Sequence, residues 1–487
     1  MKLLSQFWNL KIWFVFVLKL NHATLRVTNS RNLFVFIDNF CKISEVSKDK
    51  MTFTNLYVII SAVISLANPC VIEESRIVKN LATKTPYEYL KSNENLVSLP
   101  ENCKPSKFWL MSRHGTRYPS KKGINGINYI LPEILNKIDL TKNSQLCEND
   151  LKLLRSWTPQ VNISQAKNLH AEGEKELILM AESYANKFPQ ILKQPYSPEK
   201  FEFRATNTER ARKSAFNFAT GLFDRKIAQE VEYYPPIKPH DPLIRFYKMC
   251  EKWKNDVKLN PKSLQEQKLF ENSETFQTEL IQPLSELLTQ NLTMDQIDAI
   301  WVACTFGQAW NPNKLSPWCG IFTKHRLELM EFREDLEYYW VDSYGQEVNF
   351  KPACVLLNDV IEKFESENSK DNILYFSHSG AILKLLAFLG IDKPKEDLKH
   401  DSNIRKRLWG TSKIDSFASN IAFVLLKPCN QIGLLINESL TPICDDEKLW
   451  CSFDEFKQKF PKCDFDQICD NSNDFKNSEN LLEDDRY

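Results

Sequence analysis

The chain has no surplus of charge of either sign: 63 Lys and Arg balance 63 Asp and Glu. A duplex-binding domain carries a basic excess, so nucleic acid is not an expected partner, and any anion site must come from a local concentration of arginine. No apolar run reaches the roughly 20 residues that cross a bilayer, and with 43% hydrophobic residues and a mean hydropathy of −0.40 the composition fits neither a polytopic membrane protein nor a disordered chain. There is no C-x-x-C pair and no Cys/His zinc spacing, so neither a metal nor another cofactor is expected. No internal repeat is visible. The final Glu-Asp-Asp-Arg-Tyr carries no ER-retrieval signal.

What the sequence does contain begins with two apolar stretches near the start. The first, residues 13–18, spans about one and a half helical turns between Lys11 and Lys19. The second follows an internal methionine, Met51, runs through residues 56–66 and ends in Ser65-Leu66-Ala67, a short hydrophobic region with an A-x-A-like cleavage site. Residues 51–67 are therefore expected to be a secretory signal, with residues 1–50 an uncertain leader. The competing expectation is a signal-anchor that leaves the chain membrane-associated.

Cysteine usage agrees with secretion into the extracellular space or a secretory lumen. Of 13 cysteines, Cys41 lies in the leader, and the rest form an even set suited to disulfides, with Cys444, Cys451, Cys463 and Cys469 clustered as if to staple a loop-rich terminus. Asn162, Asn291 and Asn437 open N-glycosylation sequons.

At 487 residues the chain could hold two or three domains. A hydrophobic run at 108–111 reads as a buried strand ending in Ser112-Arg113-His114-Gly115-Thr116-Arg117-Tyr118-Pro119. A helix is expected over 164–187, stopped by Pro189. A strand at 200–205 precedes a helix capped by Asn207 or Thr208, which places Arg210 in its first turn. Residues 235–366 read as mostly helical. The continuous apolar run 373–376 reads as a strand covered on both faces, followed by His378-Ser379-Gly380 and a helix over 381–389 stopped by Gly390. Segments 421–426 and 433–436 read as a closing hairpin, and residues 471–487 as an acidic, disordered tail.

Three strands of an α/β sheet thus end in basic residues at their carboxyl edge: Arg113, His114 and Arg117; Arg210; and His378. That edge is where open α/β sheets bind ligands. Two arginines flanking a histidine can hold an anion bidentately while the imidazole reaches its central atom. Neighbouring cations favour the unprotonated, nucleophilic imidazole, which makes phosphoryl capture on His114 chemically sensible.

Arg113-His114-Gly115-Thr116-Arg117-Tyr118-Pro119 resembles the R-H-G-x-R-x-P motif of the histidine acid phosphatases. The segment 204–223, His240-Asp241-Pro242-Leu243-Ile244-Arg245-Phe246 with Cys250-Glu251-Lys252, and Ser316-Pro317-Trp318-Cys319 are similar to the multiple inositol polyphosphate phosphatase branch. The resemblance covers about residues 75–445. It implies an α/β fold with a mixed sheet core flanked by helices, phosphoglycerate-mutase-like, formed by about residues 100–120, 195–225 and 370–440. A large inserted α-helical domain would take about 121–194 and 226–369, and the whole phosphatase domain residues 68–470.

The same resemblance implies that His114 becomes phosphorylated, that Arg113, Arg117 and Arg210 clamp the phosphate oxygens, and that His378 donates a hydrogen bond to the phosphate. Arginines then stand in for a metal. The implied substrates are phosphorylated small molecules, inositol polyphosphates in a phytase-like hydrolysis, with bisphosphoglycerate a further candidate. Lys121 and Lys122 are candidates for the extra phosphates of such a ring, or a plain solvated loop. Arg204 is a candidate substrate contact or the partner of a carboxylate. His170 and His325 are expected to be ordinary helical residues, and Trp318 and Cys319 to anchor a disulfide loop.

One departure from the family pattern stands out. His-Ala-Glu or His-Asp is usual, the acid protonating the leaving oxygen, whereas this chain has His378-Ser379-Gly380. A general acid is worth roughly 10²- to 10⁴-fold for a poor alkoxide leaving group. Three explanations are open: a carboxyl reaching in from the helical region, a protonated phosphate of the substrate, or a weak or inactive polyanion-binding protein. Asp241, Asp401 and the acids within 332–342 are unplaced by sequence. The rival functions are a broad-specificity acid phosphatase and a secreted, non-catalytic polyanion binder; a phosphohistidine sugar-phosphate mutase fits the secretory features poorly. The signal reading predicts Asn68 as the mature N-terminus in peptide sequencing of the secreted product, and a start upstream of Met51 would favour the anchor instead.

Overall fold

The computed structural model describes residues 71–72, 78–92, 97–142, 144–158, 161–444 and 448–471. The leader, the signal segment and the acidic tail lie outside the described residues. The described residues belong to the second of two units, Cys70–Tyr487.

The sheet is mixed and carries helices on both faces. Its seven strands are β1 (Lys104–Arg113), β2 (Phe201–Ala205), β3 (Asn372–Ser377), β4 (Asn420–Lys427), β5 (Gln431–Ile436), β6 (Ser439–Thr441) and β7 (Trp450–Ser452). They are ordered β2-β3-β1-β4-β5-β6, with β7 also on β5. β2 and β1 both run parallel to β3, while β4 is antiparallel to β1 and β5 to β4.

Alternation along the strands divides the core. Phe108 and Leu110 of β1, with Leu374 and Phe376 of β3, face a cluster containing Tyr184, Phe188 and Phe218. Trp109 and Met111, with Ile373 and Tyr375, face the larger cluster built with the helical region. Successive strand side chains point to opposite faces, so a strand that must be apolar at every position is one that helices cover twice. Edge-on ring contacts occur within each face, Phe108 to Tyr184 at 5.2 Å on one and Trp109 to Tyr375 at 5.5 Å on the other.

The helices Ala171–Lys187 and Glu209–Phe223 pack together on the first face. The second face meets a helical region that includes Met294–Trp310, Lys324–Asp342 and Cys354–Glu365. Residues 164–187 are not one helix. A 3-10 turn occupies Ile163–Gln165, and His170 then caps the long helix by accepting from the Glu172 N–H at 3.0 Å. His170 is accordingly a cap, with its ring stacked on Trp310 at 5.5 Å. His325 pairs with Glu279.

Five disulfides join Cys103–Cys429, Cys250–Cys469, Cys304–Cys319, Cys354–Cys463 and Cys444–Cys451, and Cys147 is also disulfide-bonded. Two of them fasten the C-terminal segment to the helical region rather than to itself. Trp318 is fully buried beside the Cys304–Cys319 bridge. Asn162 and Asn291 are exposed, as a glycan needs. Asn437, the third sequon position, is 5% exposed, and its Oδ1 accepts from the Ser419 hydroxyl and the Asn420 N–H.

Candidate active site

The pairing order β2-β3-β1 sets three parallel carboxyl ends side by side, and backbone bonds continue past the strands. The His114 N–H donates to Ser377 O at 3.0 Å, Thr206 N–H to Phe376 O at 3.1 Å, and Arg113 N–H to Ser419 O at 2.8 Å. The loops after β1, β2 and β3 are thereby held as one surface, bringing His114, Arg210 and His378 together.

His114 is 4% exposed. Its Nδ1 lies 2.9 Å from the Gly115 carbonyl oxygen. A carbonyl only accepts, so Nδ1 carries the proton and Nε2 keeps its lone pair. Burial, then the guanidiniums of Arg210, Arg113 and Arg117, hold this imidazole well below the usual histidine range. The His378 ring stands 5.5 Å away, edge to face, with Nε2 2.9 Å from the Thr206 hydroxyl. It is lowered likewise, by burial first and then by Arg245, Arg210, His114 and Lys248. Two neutral imidazoles thus sit among five cations.

The arginines are fixed in different ways. Arg113 Nη1 donates to the carbonyls of Thr83, Asp415 and Ser416 at 2.7, 2.8 and 3.0 Å, and its guanidinium lies 4.8 Å from the Phe417 ring centre. Its Nε is buried and has no protein partner, a donor left over for an anion. Arg117 donates to the Tyr118 carbonyl at 2.8 Å and covers Phe306 at 5.4 Å. Arg210 lies in the first turn of its helix behind a Thr208 cap.

Sequence reasoning gave no role to Arg245 or Lys248, although Arg245 belongs to a segment it quoted. Their placement explains Arg204 and Asp241. Arg204 donates to both Asp241 carboxylate oxygens, at 2.7 and 2.8 Å, and packs on Tyr234. Asp241 in turn accepts from the Leu243 and Ile244 N–H groups, while Ser377 at the end of β3 donates to the Ile244 carbonyl. The result is a braced turn that delivers Arg245 beside His378. Arg204 is therefore a strut with its fork occupied by Asp241, the carboxylate partner that is one of its two readings and not the substrate contact. The same pairing removes Asp241 from the candidate acids. Lys121 and Lys122 open the Lys121–Asn125 helix and are exposed, with Lys122 3.4 Å from Asp295, on the surface after Pro119. Asp401 is exposed, and Asp335 is bound to Arg407 and Thr411.

Beneath the loop, Gly115 and Gly173 pass so closely that a Cβ on Gly173 would lie 2.2 Å from Thr116 O. That approach lets Glu176 accept from the Thr116 N–H at 2.7 Å and its hydroxyl at 2.9 Å. Among the described residues, no group of three or more His, Cys, Asp or Glu side chains is arranged to hold a metal ion.

Residues 107–448 match the Histidine phosphatase superfamily (branch 2). The chain belongs to this family. It is 30% identical over 360 residues to multiple inositol polyphosphate phosphatase 1 of Drosophila melanogaster, covering 71% of this chain and 76% of that protein. Among solved structures, the phytase from D. castellii superimposes with a TM-score of 0.64 at 18% identity, covering 81% of this chain and 88% of that one. Bifidobacterium longum multiple inositol polyphosphate phosphatase, in complex with inositol hexasulfate, gives 0.60 at 12%, covering 79% and 97%. These two establish the fold, and membership of the family makes the chain a phosphatase.

Burial raises the Glu176 carboxyl to about 7 against the bonds from Thr116 and Tyr87, which lower it. A carboxyl raised on folding stabilises the native state fully below its ordinary value of 4.5 and loses that contribution as pH climbs through about 7. The span corresponds to about 3 kcal/mol. Thermal melts at pH 5 and pH 8 should therefore show a loss of stability with rising pH that shrinks in Glu176→Gln; an identical pH dependence in the variant would remove the neutral buried acid from the account.

Proposed function

We propose that the protein is a secreted phosphomonoesterase that works through a phosphohistidine on His114 and takes inositol polyphosphates as substrates. The observation that carries this reading is the His114 ring itself: neutral, with Nδ1 committed to a carbonyl, and placed between arginines and a second imidazole at the sheet edge.

In the first half-reaction His114 Nε2 attacks phosphorus. Charge spreads onto the equatorial oxygens, and Arg113, Arg117 and Arg210 supply fixed donors there without reorganisation. His378 hydrogen-bonds the same group. Water then displaces the imidazole and releases phosphate. Because burial and cations keep His114 unprotonated below the ordinary histidine range, the nucleophile stays competent as the medium becomes acidic.

The substrate class is supported by surplus charge. Arg245 adds a further guanidinium on the His378 side, beyond the three that hold one phosphate, and a ring with several phosphates would use it. The named activity of the Drosophila relative and the inositol hexasulfate bound by the Bifidobacterium protein support the same class. Secretion is supported by the disulfides, and among the described residues no helix is long and apolar enough to cross a membrane.

The test is phosphate release from inositol hexakisphosphate across pH 3 to 8 by protein started at Asn68. Release should vanish in His114→Ala, and alkaline quenching of the parent should trap labelled phosphate on His114. Arg210→Ala should lower the rate by roughly 10²-fold or more and weaken competition by inorganic phosphate. Binding of the hexakisphosphate without release by the parent would leave a polyanion-binding protein in place of an enzyme.

A further inference from the structure

The two positions after His378 carry no carboxyl, and a glutamate at position 380 would be crowded. A Cβ on Gly380 would lie 3.2 Å from the Tyr247 ring and 3.3 Å from Asp342 Oδ1. Asp342 does reach this point from the end of the Lys324–Asp342 helix, but it is 3.1 Å from the ammonium of Lys384, and both are buried. That carboxylate is committed to a cation that has no water to fall back on.

Asp415 is placed differently. It is fully buried, in the loop leading into β4, and its Oδ2 accepts from the Ser379 hydroxyl. Its Oδ1 has no protein partner, and Arg113 Nη1 lies 3.6 Å from Oδ2. Ser379 is only half-buried, at the first turn of the helix that His378 caps. A single hydroxyl therefore links a carboxyl in the dry interior to a half-buried position directly after His378.

We propose that Asp415 supplies the proton for the leaving alcohol and passes it through the Ser379 hydroxyl. The inference rests on the phosphohistidine reading above. As His114 Nε2 bonds to phosphorus, the bond from phosphorus to the leaving oxygen breaks and its electron pair stays on that oxygen. With Asp415 protonated on Oδ2 and donating to Ser379 Oγ, the leaving oxygen takes the Ser379 hydroxyl proton while Ser379 Oγ takes the proton of Asp415 Oδ2. The products are the free alcohol, a restored serine and an Asp415 carboxylate beside Arg113. In the second half-reaction water attacks phosphorus, the electrons of the nitrogen–phosphorus bond return to Nε2, and a proton of that water travels back along the same path to Asp415.

A serine alone is far too weak an acid for this work, and as a conduit it need not be one. The groups facing Asp415 set when it holds a proton. Burial acts first and raises it, Arg113 and the Ser379 bond lower it, Asp342 raises it and Lys84 lowers it, with a balance at about 6. An acid must be protonated to act, so this route weakens as pH rises through about 6.

The leaving group separates a chemical role from a structural one. p-Nitrophenolate departs without a proton, whereas an inositol alkoxide requires one. In Asp415→Asn, hydrolysis of inositol hexakisphosphate at pH 5 should fall by roughly 10²- to 10⁴-fold and that of p-nitrophenyl phosphate by less than about tenfold. Ser379→Ala should show the same split and Ser379→Thr should largely reverse it. The fall in alkyl-phosphate rate through about pH 6 should disappear in Asp415→Asn. Equal slowing of both substrates, or slowing of neither, overturns the relay while leaving the phosphatase reading intact. Failure of the parent on both substrates defeats that reading and the relay with it.

Discussion

Parallel pairing of β2, β3 and β1 is the constraint on which the rest depends. Each strand alone could deliver its loop anywhere, but the shared register and the bonds from His114 to Ser377 and from Thr206 to Phe376 set the three loops at one level. Polar groups at that level are then positioned by backbone, the stiffest framework a chain possesses, and side-chain rotamers have little left to decide. The helix N-termini after β2 and β3 point to the same edge and add their partial positive charge to that of the arginines.

Gathering cations in a buried place carries an electrostatic cost that the fold meets piecemeal. Lys84 is paired with Glu334, Arg113 leans on carbonyls, an aromatic face and Asp415, and Arg204 is spent on Asp241. None of these partners neutralises the centre. Both imidazoles are still pushed toward their neutral forms, so the centre attracts anions while the His114 ring remains unprotonated.

Much of this was legible in the sequence, for identifiable reasons. Apolar runs at 108–111 and 373–376 mark strands buried on both faces, and a histidine or arginine directly after such a strand must lie at its carboxyl edge. The long helix begins at Ala171, later than its apolar pattern suggests, because His170 is an unusual cap that does not announce itself as serine or aspartate would. The partner of Arg204 and the role of Asp241, a candidate acid, could not be read from sequence because their pairing joins β2 to a turn that only the tertiary structure closes. Asp415 carried no sequence signal at all. It lies far along the chain from His378, and only the antiparallel return of β4 beside β1 brings it to Ser379.

That return has a consequence for how the chain can be made. Phe108 pairs with Asn372 on one side and Val424 on the other, so β1 emerges early in synthesis and finds both neighbours only near the end. During the interval its row of apolar side chains and open backbone bonds is an adhesive edge, the situation in which chains stick to one another. The helical region is made during that wait and is rich in local contacts, which form quickly. Such a protein should acquire its helices first and its sheet last, and depend on a folding compartment well supplied with chaperones until residue 427 has been released.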